Sequence, residues 1–175
     1  MDRSRKMLFG SKDVIDLEKV LQRFASDLTG HFKCRLIYAL DIEDVEFIPY
    51  TIPVINSLKV VHADQIDYRH KYLDRRQLDQ LFGQREDCDD VLIIKNGLAT
   101  DSSYANVLLH DGDKWLTPDK PLLEGTQRMS LLKKRAIHPH RIKVEDLKAF
   151  AKVRLINAMI RFEDQLDIAI ENISI

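Results

Sequence analysis

The chain has 175 residues and a mass of 20.4 kDa, with 45% hydrophobic and 31% charged residues, a composition that suits a globular protein able to bury its own core. With 27 Lys+Arg against 28 Asp+Glu the formal net charge is −1, so there is no overall attraction to nucleic acid or to an anionic membrane, and a charged ligand must be met locally. The six glycines, at positions 10, 30, 83, 97, 112 and 125, are too widely spaced for a dinucleotide-binding G-x-G-x-x-G or a P-loop, which excludes both.

Along the chain, 13–28 predicts an amphipathic helix, with Asp13 as its cap and Ile15, Leu17, Val20, Leu21 and Phe24 at helical spacing. Gly30 stops it. From Phe32 the period changes: 34–40 reads as a strand, 41–44 as a turn, 45–50 as the returning strand and 57–61 as a third strand, which together make a small antiparallel sheet. The polar stretch 63–71 marks a lobe boundary, giving a small lobe over 1–64 and a larger one over 65–175. Leu73, Leu78, Leu81 and Phe82 then predict a short helix stopped by Gly83, and Val91-Leu92-Ile93-Ile94-Lys95 a buried strand ending in the tight-turn pair Asn96-Gly97. A hairpin follows over 106–116. Gly125 opens a helix that carries Met129, Leu131, Leu132 and Ile137, and 144–147 begins another short one. Residues 153–158 read as a strand, while the tail from Phe162 fits a helix or a strand equally well. Strands and helices mixed without a regular βαβ rhythm predict an α+β fold.

Cys34 and Cys88 form no C-x-x-C pair and there is no H-E-x-x-H, so no metal site is expected, and unpaired thiols fit a reduced, cytoplasmic setting. No apolar run approaches the length of a membrane span.

Four stretches carry residue types able to do chemistry. His70-Lys71-Tyr72-Leu73-Asp74-Arg75 sets a lysine among cations, where a lowered pKa would expose an amine able to condense with a carbonyl; a solvated basic face is the plainer reading. The polar run 96–106 holds Asp101, whose carboxylate suits a ring nitrogen or a turn cap. Gly125-Thr126-Gln127-Arg128 stands at a helix start, where free N–H groups favour a phosphate, although most helix starts bind nothing. Asn157-Ala158 ends an apolar strand and says little alone.

In their order and spacing these stretches resemble the fold-type IV pyridoxal-phosphate enzymes, the class IV aminotransferases, which include branched-chain and D-amino-acid aminotransferases and 4-amino-4-deoxychorismate lyase. His70–Arg75 is similar to the H-K-x-L-[ND]-R stretch of the lyase branch, which implies Lys71 as the Schiff-base lysine. Gly97-Leu98-Ala99-Thr100-Asp101 with Asn106 resembles G-x-[VL]-x-E-x-x-x-x-N, and implies Asp101, one methylene shorter than the usual glutamate, as the partner of the pyridine nitrogen. Thr117-Pro118 and Leu123-Glu124-Gly125-Thr126-Gln127-Arg128 resemble the threonine-proline and L-x-G-[IV]-T-R elements, which implies phosphate contacts from Gly125, Thr126 and Gln127. Leu155-Ile156-Asn157-Ala158 resembles F-x-x-N-[AS], adding Asn157 and Ala158 to the cofactor contacts.

The resemblance covers residues 1 to about 160 and implies a two-lobed fold, pyridoxal 5′-phosphate as cofactor, an amino-acid or 2-oxo-acid substrate and a homodimer. It points to an aminotransferase, with the lyase, or a dimeric relative that has lost the cofactor, as alternatives. Arg35, on the strand 34–40, lies where some aminotransferases of the family present an arginine to a substrate carboxylate, although a solvent-facing strand arginine is the plainer reading. Met1-Asp2-Arg3-Ser4 looks like the end of H-x-x-R-[LM]-x-x-S, whose arginine meets the cofactor phosphate, so the chain is expected to lack the front of the small lobe.

Overall fold

A switch from helical to alternating apolar spacing organises the first of two units, Met1–Ile52. The structure, a computed structural model, describes residues 1–24 and 28–175. Helix α1 (Asp2–Phe9), which the apolar pattern does not predict, ends at Gly10, whose φ of 69° lets its N–H turn back to the carbonyls of Arg5 and Lys6. Helix α2 (Leu17–Gln22) is shorter than the predicted 13–28. It starts after Asp16, not Asp13, because the Asp16 carboxylate accepts from Lys19 N–H at 3.2 Å; the part of the prediction over 25–27 lies outside the described residues. Strands β1 (Phe32–Tyr38) and β2 (Ile42–Pro49) pair antiparallel, with a register shift at Ile37/Tyr38. Arg5 is buried: its guanidinium donates to the carbonyls of Leu40 and Asp13 and lies 3.3 Å from the Asp2 carboxylate. It thereby pins α1 to the hairpin.

The second unit, Pro53–Ile175, is built on β3 (Leu58–His62), α3 (Arg76–Phe82), β4 (Asp90–Lys95), β5 (Leu98–Ala99), β6 (Asn106–His110), β7 (Trp115–Pro118), α4 (Thr126–Lys133), β8 (His138–His140), β9 (Lys152–Ile156), β10 (Asp167–Ala169) and β11 (Ile173–Ser174). One sheet runs β11-β3-β4-β5 and the other β10-β9-β6-β7-β8. The third predicted strand does not extend the antiparallel hairpin of the first unit. It lies in the second unit as β3 and pairs parallel with β4, with α3 in the crossover.

Val91, Leu92, Ile93 and Ile94 are wholly buried because β4 is covered on both faces. Leu92 and Ile94 join Val107, Leu109, Val153 and Leu155 in one core, while Val91 and Ile93 meet Leu78 and Leu81 of α3 in another. A third cluster sets Leu131 and Ile137 against Leu108 of β6 and Ile156 of β9. Ile137 is not in α4, which stops at Lys133; it leads into β8, parallel to β7. Residues 144–149 form a 3-10 turn, and the undecided tail resolves into short 3-10 turns alternating with β10 and β11.

Candidate functional site

The turn from Thr100 to Asn106 is where the four stretches meet. Thr100 N–H donates to the Ile93 carbonyl and Ile93 N–H to the Asp101 carbonyl, at 3.0 and 2.9 Å, so the turn is an outgrowth of the sheet rather than a free loop. Ser102 closes it by accepting the Ala105 N–H on its Oγ at 3.1 Å. From the lysine stretch, Arg75 Nη2 donates to the Ser103 carbonyl at 3.0 Å while its Nε lies 3.8 Å from Asp79. From the far strand, Asn157 Nδ2 donates to the Tyr104 carbonyl at 3.4 Å. From the stretch before α4, Leu123 contributes both backbone groups: its N–H donates to Asp101 Oδ2 at 2.9 Å, and its carbonyl accepts from Asn106 Nδ2 at 2.8 Å.

Asp101 sits at the centre of this meeting point, with 5% of its surface exposed. Oδ1 accepts from Asn106 Nδ2 at 2.8 Å and Oδ2 from Leu123 N–H. Burial pushes its carboxyl up to about 6, partly countered by those two donors and by the charge of Arg128. The group is therefore mainly ionised at neutral pH and gains from an added cation.

At the start of α4, Gly125 is the N-cap, with no side chain to satisfy the first amides and no acid in the first turn. A Cβ on Gly125 would stand 2.1 Å from Asn106 Oδ1, so the absence of a side chain here makes room for the residue that clamps Asp101. The amides of Thr126 and Gln127 head the helix and are suited to an anion. Arg128, in contrast, points inward. Its Nε donates to Thr117 Oγ1 at 3.0 Å and its Nη2 to the Pro118 carbonyl at 2.7 Å, so it ties α4 to β7. Thr117 passes the link on to the Val107 carbonyl at 3.2 Å.

Lys71 lies on the exposed loop before α3, in the stretch that ends with the Asp74–Arg76 ion pair at 2.5 Å. Asn157 terminates β9, and its Oδ1 accepts the N–H groups of Met159 and Ile160 at 2.7 and 2.9 Å; Ala158 is exposed in that turn. Arg35 belongs to the other unit, on β1, where it pairs with Glu46 of β2 at 2.9 Å. Arg75 and Asn106 stand inside the quoted motifs without being marked by them as site residues. Their roles come from contacts between distant segments, which spacing alone does not reveal.

The donor set fits pyridoxal phosphate. A buried carboxylate held by two neutral donors is complementary to a protonated pyridine nitrogen, and an uncapped helix start to the phosphate. Among the described residues no three or more His, Cys, Asp or Glu side chains are grouped to hold a metal ion, and no helix is long and apolar enough to cross a membrane.

Residues 42–162 match the family described as amino-transferase class IV. A Haemophilus influenzae (strain KW20 / Rd) protein described as uncharacterized is 40% identical over 127 residues, which are 73% of this chain and 68% of that one. The crystal structure of a candidate 4-amino-4-deoxychorismate lyase from Haemophilus somnus 129pt superposes with a TM-score of 0.84 at 37% identity, covering 92% of this chain and 85% of its own. A hypothetical aminotransferase of Mycobacterium tuberculosis in its PLP-bound form shares the fold, with a TM-score of 0.65 at 19% identity over 82% of this chain and 63% of that one.

Proposed function

The chain belongs to the class IV aminotransferase family, and from that premise we propose that it is a pyridoxal-phosphate enzyme acting on the amino group of an amino acid, with a 2-oxo acid as the acceptor. The observation that carries this reading is the convergence on one buried acid: the lysine stretch, the stretch leading into α4 and the residue that ends β9 are all hydrogen-bonded to the turn that presents Asp101. When bound, pyridoxal phosphate supplies an electron sink for the bonds at the amino acid's α-carbon. Lys71 would hold the cofactor through Nζ and move the proton at that carbon as base and then acid. Asp101 would keep the ring nitrogen protonated, and Asn106 with Leu123 N–H would hold the carboxylate in place for it. The amides of Thr126 and Gln127 would bind the phosphate, with Gly125, Asn157 and Ala158 completing the cofactor contacts.

A second reading is 4-amino-4-deoxychorismate lyase, in which the same groups release 4-aminobenzoate and pyruvate. It is favoured by the His70–Arg75 stretch and by the 37% identity to the Haemophilus somnus protein. Substrate orientation decides between the two outcomes. The test is reconstitution with pyridoxal phosphate. The protein should turn yellow, and Lys71→Ala should lose both the near-visible absorbance and all turnover, whereas a protein that takes up no cofactor overturns the enzyme reading in favour of a non-catalytic relative. Amino transfer to 2-oxoglutarate against formation of 4-aminobenzoate then separates the two chemistries.

A further inference from the structure

A cavity of about 370 Å³ in the second unit, lined in part by residues of the β4–β5 hairpin, is not accounted for by the site above. Four cations line it, Arg69, Lys95, Lys120 and Arg141, against a single carboxylate, Asp67. That carboxylate is already committed to Arg69, which grips both its oxygens at 2.9 Å. Lys95 is half-buried, and its Nζ donates to the backbone carbonyl of Ile66, a neutral acceptor, while its charge acts on Asp67 only through space. Lys120 and Arg141 are exposed at the rim and form no ion pair among the described residues. The nearby Asp64 carboxylate accepts the Asn96 N–H at 2.7 Å. The cavity therefore keeps three positive charges without a carboxylate of their own in its wall. Concave walls concentrate such a field, so an anion is the ligand they favour.

The rest of the wall is apolar. Ile66, Tyr68 and Leu122 are buried residues that line the cavity, and Leu98 and Pro121 extend that face. A bare inorganic ion would leave this surface uncovered, whereas a ring or a short branched body would cover it. We propose that the cavity is a second ligand site, taking a small organic anion whose phosphate or carboxylate meets Lys95, Lys120 and Arg141 and whose apolar body lies against Tyr68 and Leu122. Its position gives it a connection to the first site. Thr100 and Leu122 in its wall immediately precede Asp101 and Leu123, the two residues joined by the 2.9 Å bond that holds the candidate acid.

Phenyl phosphate, benzoate and inorganic phosphate serve as probes, titrated into the full chain with and without saturating pyridoxal phosphate while backbone amide resonances are followed. Cofactor absorbance reports on Lys71 and the amides of Ile66, Lys95, Asn96 and Thr100 report on the cavity, so the two sites pass or fail separately. Saturable shifts at those amides are expected with phenyl phosphate or benzoate, and whichever binds more tightly names the acidic group. The Lys120→Ala/Arg141→Ala variant should weaken that binding by about tenfold or more, with circular dichroism and cofactor absorbance unchanged. Absence of saturable shifts with both organic probes, or equal affinity in the double variant, would overturn the site. Inorganic phosphate binding as tightly as phenyl phosphate would overturn the organic ligand.

Discussion

Asp101 meets the protein interior as a carboxylate held by two neutral donors, the Asn106 amide and Leu123 N–H, with Arg128 acting through space. Arg128 itself is buried, and desolvation lowers its pKa, so neither charge is well solvated. Without cofactor the cost falls on the folded state. The Asp101 carboxyl is raised from 3.8 to about 6, so the folded protein binds the proton more tightly than the unfolded chain between those pH values. Its favourable contribution is complete below about pH 4 and is lost as pH rises through 6, a change on the order of 3 kcal/mol for a fully buried group. Asp90, also buried and raised mainly by desolvation, works in the same direction. Denaturant unfolding of the cofactor-free protein should therefore show stability declining from pH 4 to 6.5, with a visibly shallower decline in Asp101→Asn. An identical slope in the variant would mean that Asp101 titrates normally.

Gly125 illustrates how one element depends on a residue far along the chain. The residue that heads α4 packs against Asn106 so closely that a Cβ on it would stand 2.1 Å from Asn106 Oδ1. Asn106 cannot easily retreat, since its Nδ2 is bonded to both Asp101 and the Leu123 carbonyl. Gly125→Ala should thus cost about 1–3 kcal/mol in urea unfolding and weaken cofactor uptake, whereas Gly112→Ala, whose Cβ meets nothing within 4 Å but whose φ is 104°, isolates the backbone penalty alone. Gly125 itself has a φ of −66°, which any residue adopts, so its loss contains no such backbone penalty, and a Gly125→Ala variant as stable as the parent would refute the clash with Asn106.

Elements with a strong local pattern are legible in the sequence. The unbroken apolar run of β4, the Asn96-Gly97 turn with φ values of 51° and 76°, and the Leu78/Leu81 face of α3 each declare themselves within a few residues. Strand β3 also declares itself, but its orientation does not, because its neighbours are β4 and the distant Ile173–Ser174. The His-Pro-His of β8 has no alternation to read, and its pairing is supplied by β7. The motif residues of the site are legible by their order, whereas the clasp of Arg75 on Ser103 and of Asn106 on Leu123 exists only in three dimensions.

Across the whole molecule the two units differ in how they are held. In Pro53–Ile175 the strands β4, β6 and β9 are almost wholly buried and share continuous apolar clusters, with Val153 and Leu155 packed in the same core as Leu92 and Val107. Among the described residues of Met1–Ile52, Arg5 alone is fully buried, and β1 and β2 have half-buried and exposed positions throughout. A two-stranded ribbon on this footing has little apolar burial to offset the entropy of ordering its backbone. Its strongest tie is the buried Arg5 guanidinium, which supplies hydrogen bonds rather than packed hydrocarbon. Amide hydrogen exchange followed by mass spectrometry should then be graded by unit: peptides covering β1 and β2 should exchange with an opening free energy roughly 2 kcal/mol or more below that of peptides covering β4 and β9. Arg5→Ala should widen the gap by accelerating exchange in the first unit while leaving β4 and β9 as they were. Uniform protection across both units, or an Arg5 effect that spreads to β4, would show that the two open as a single cooperative body.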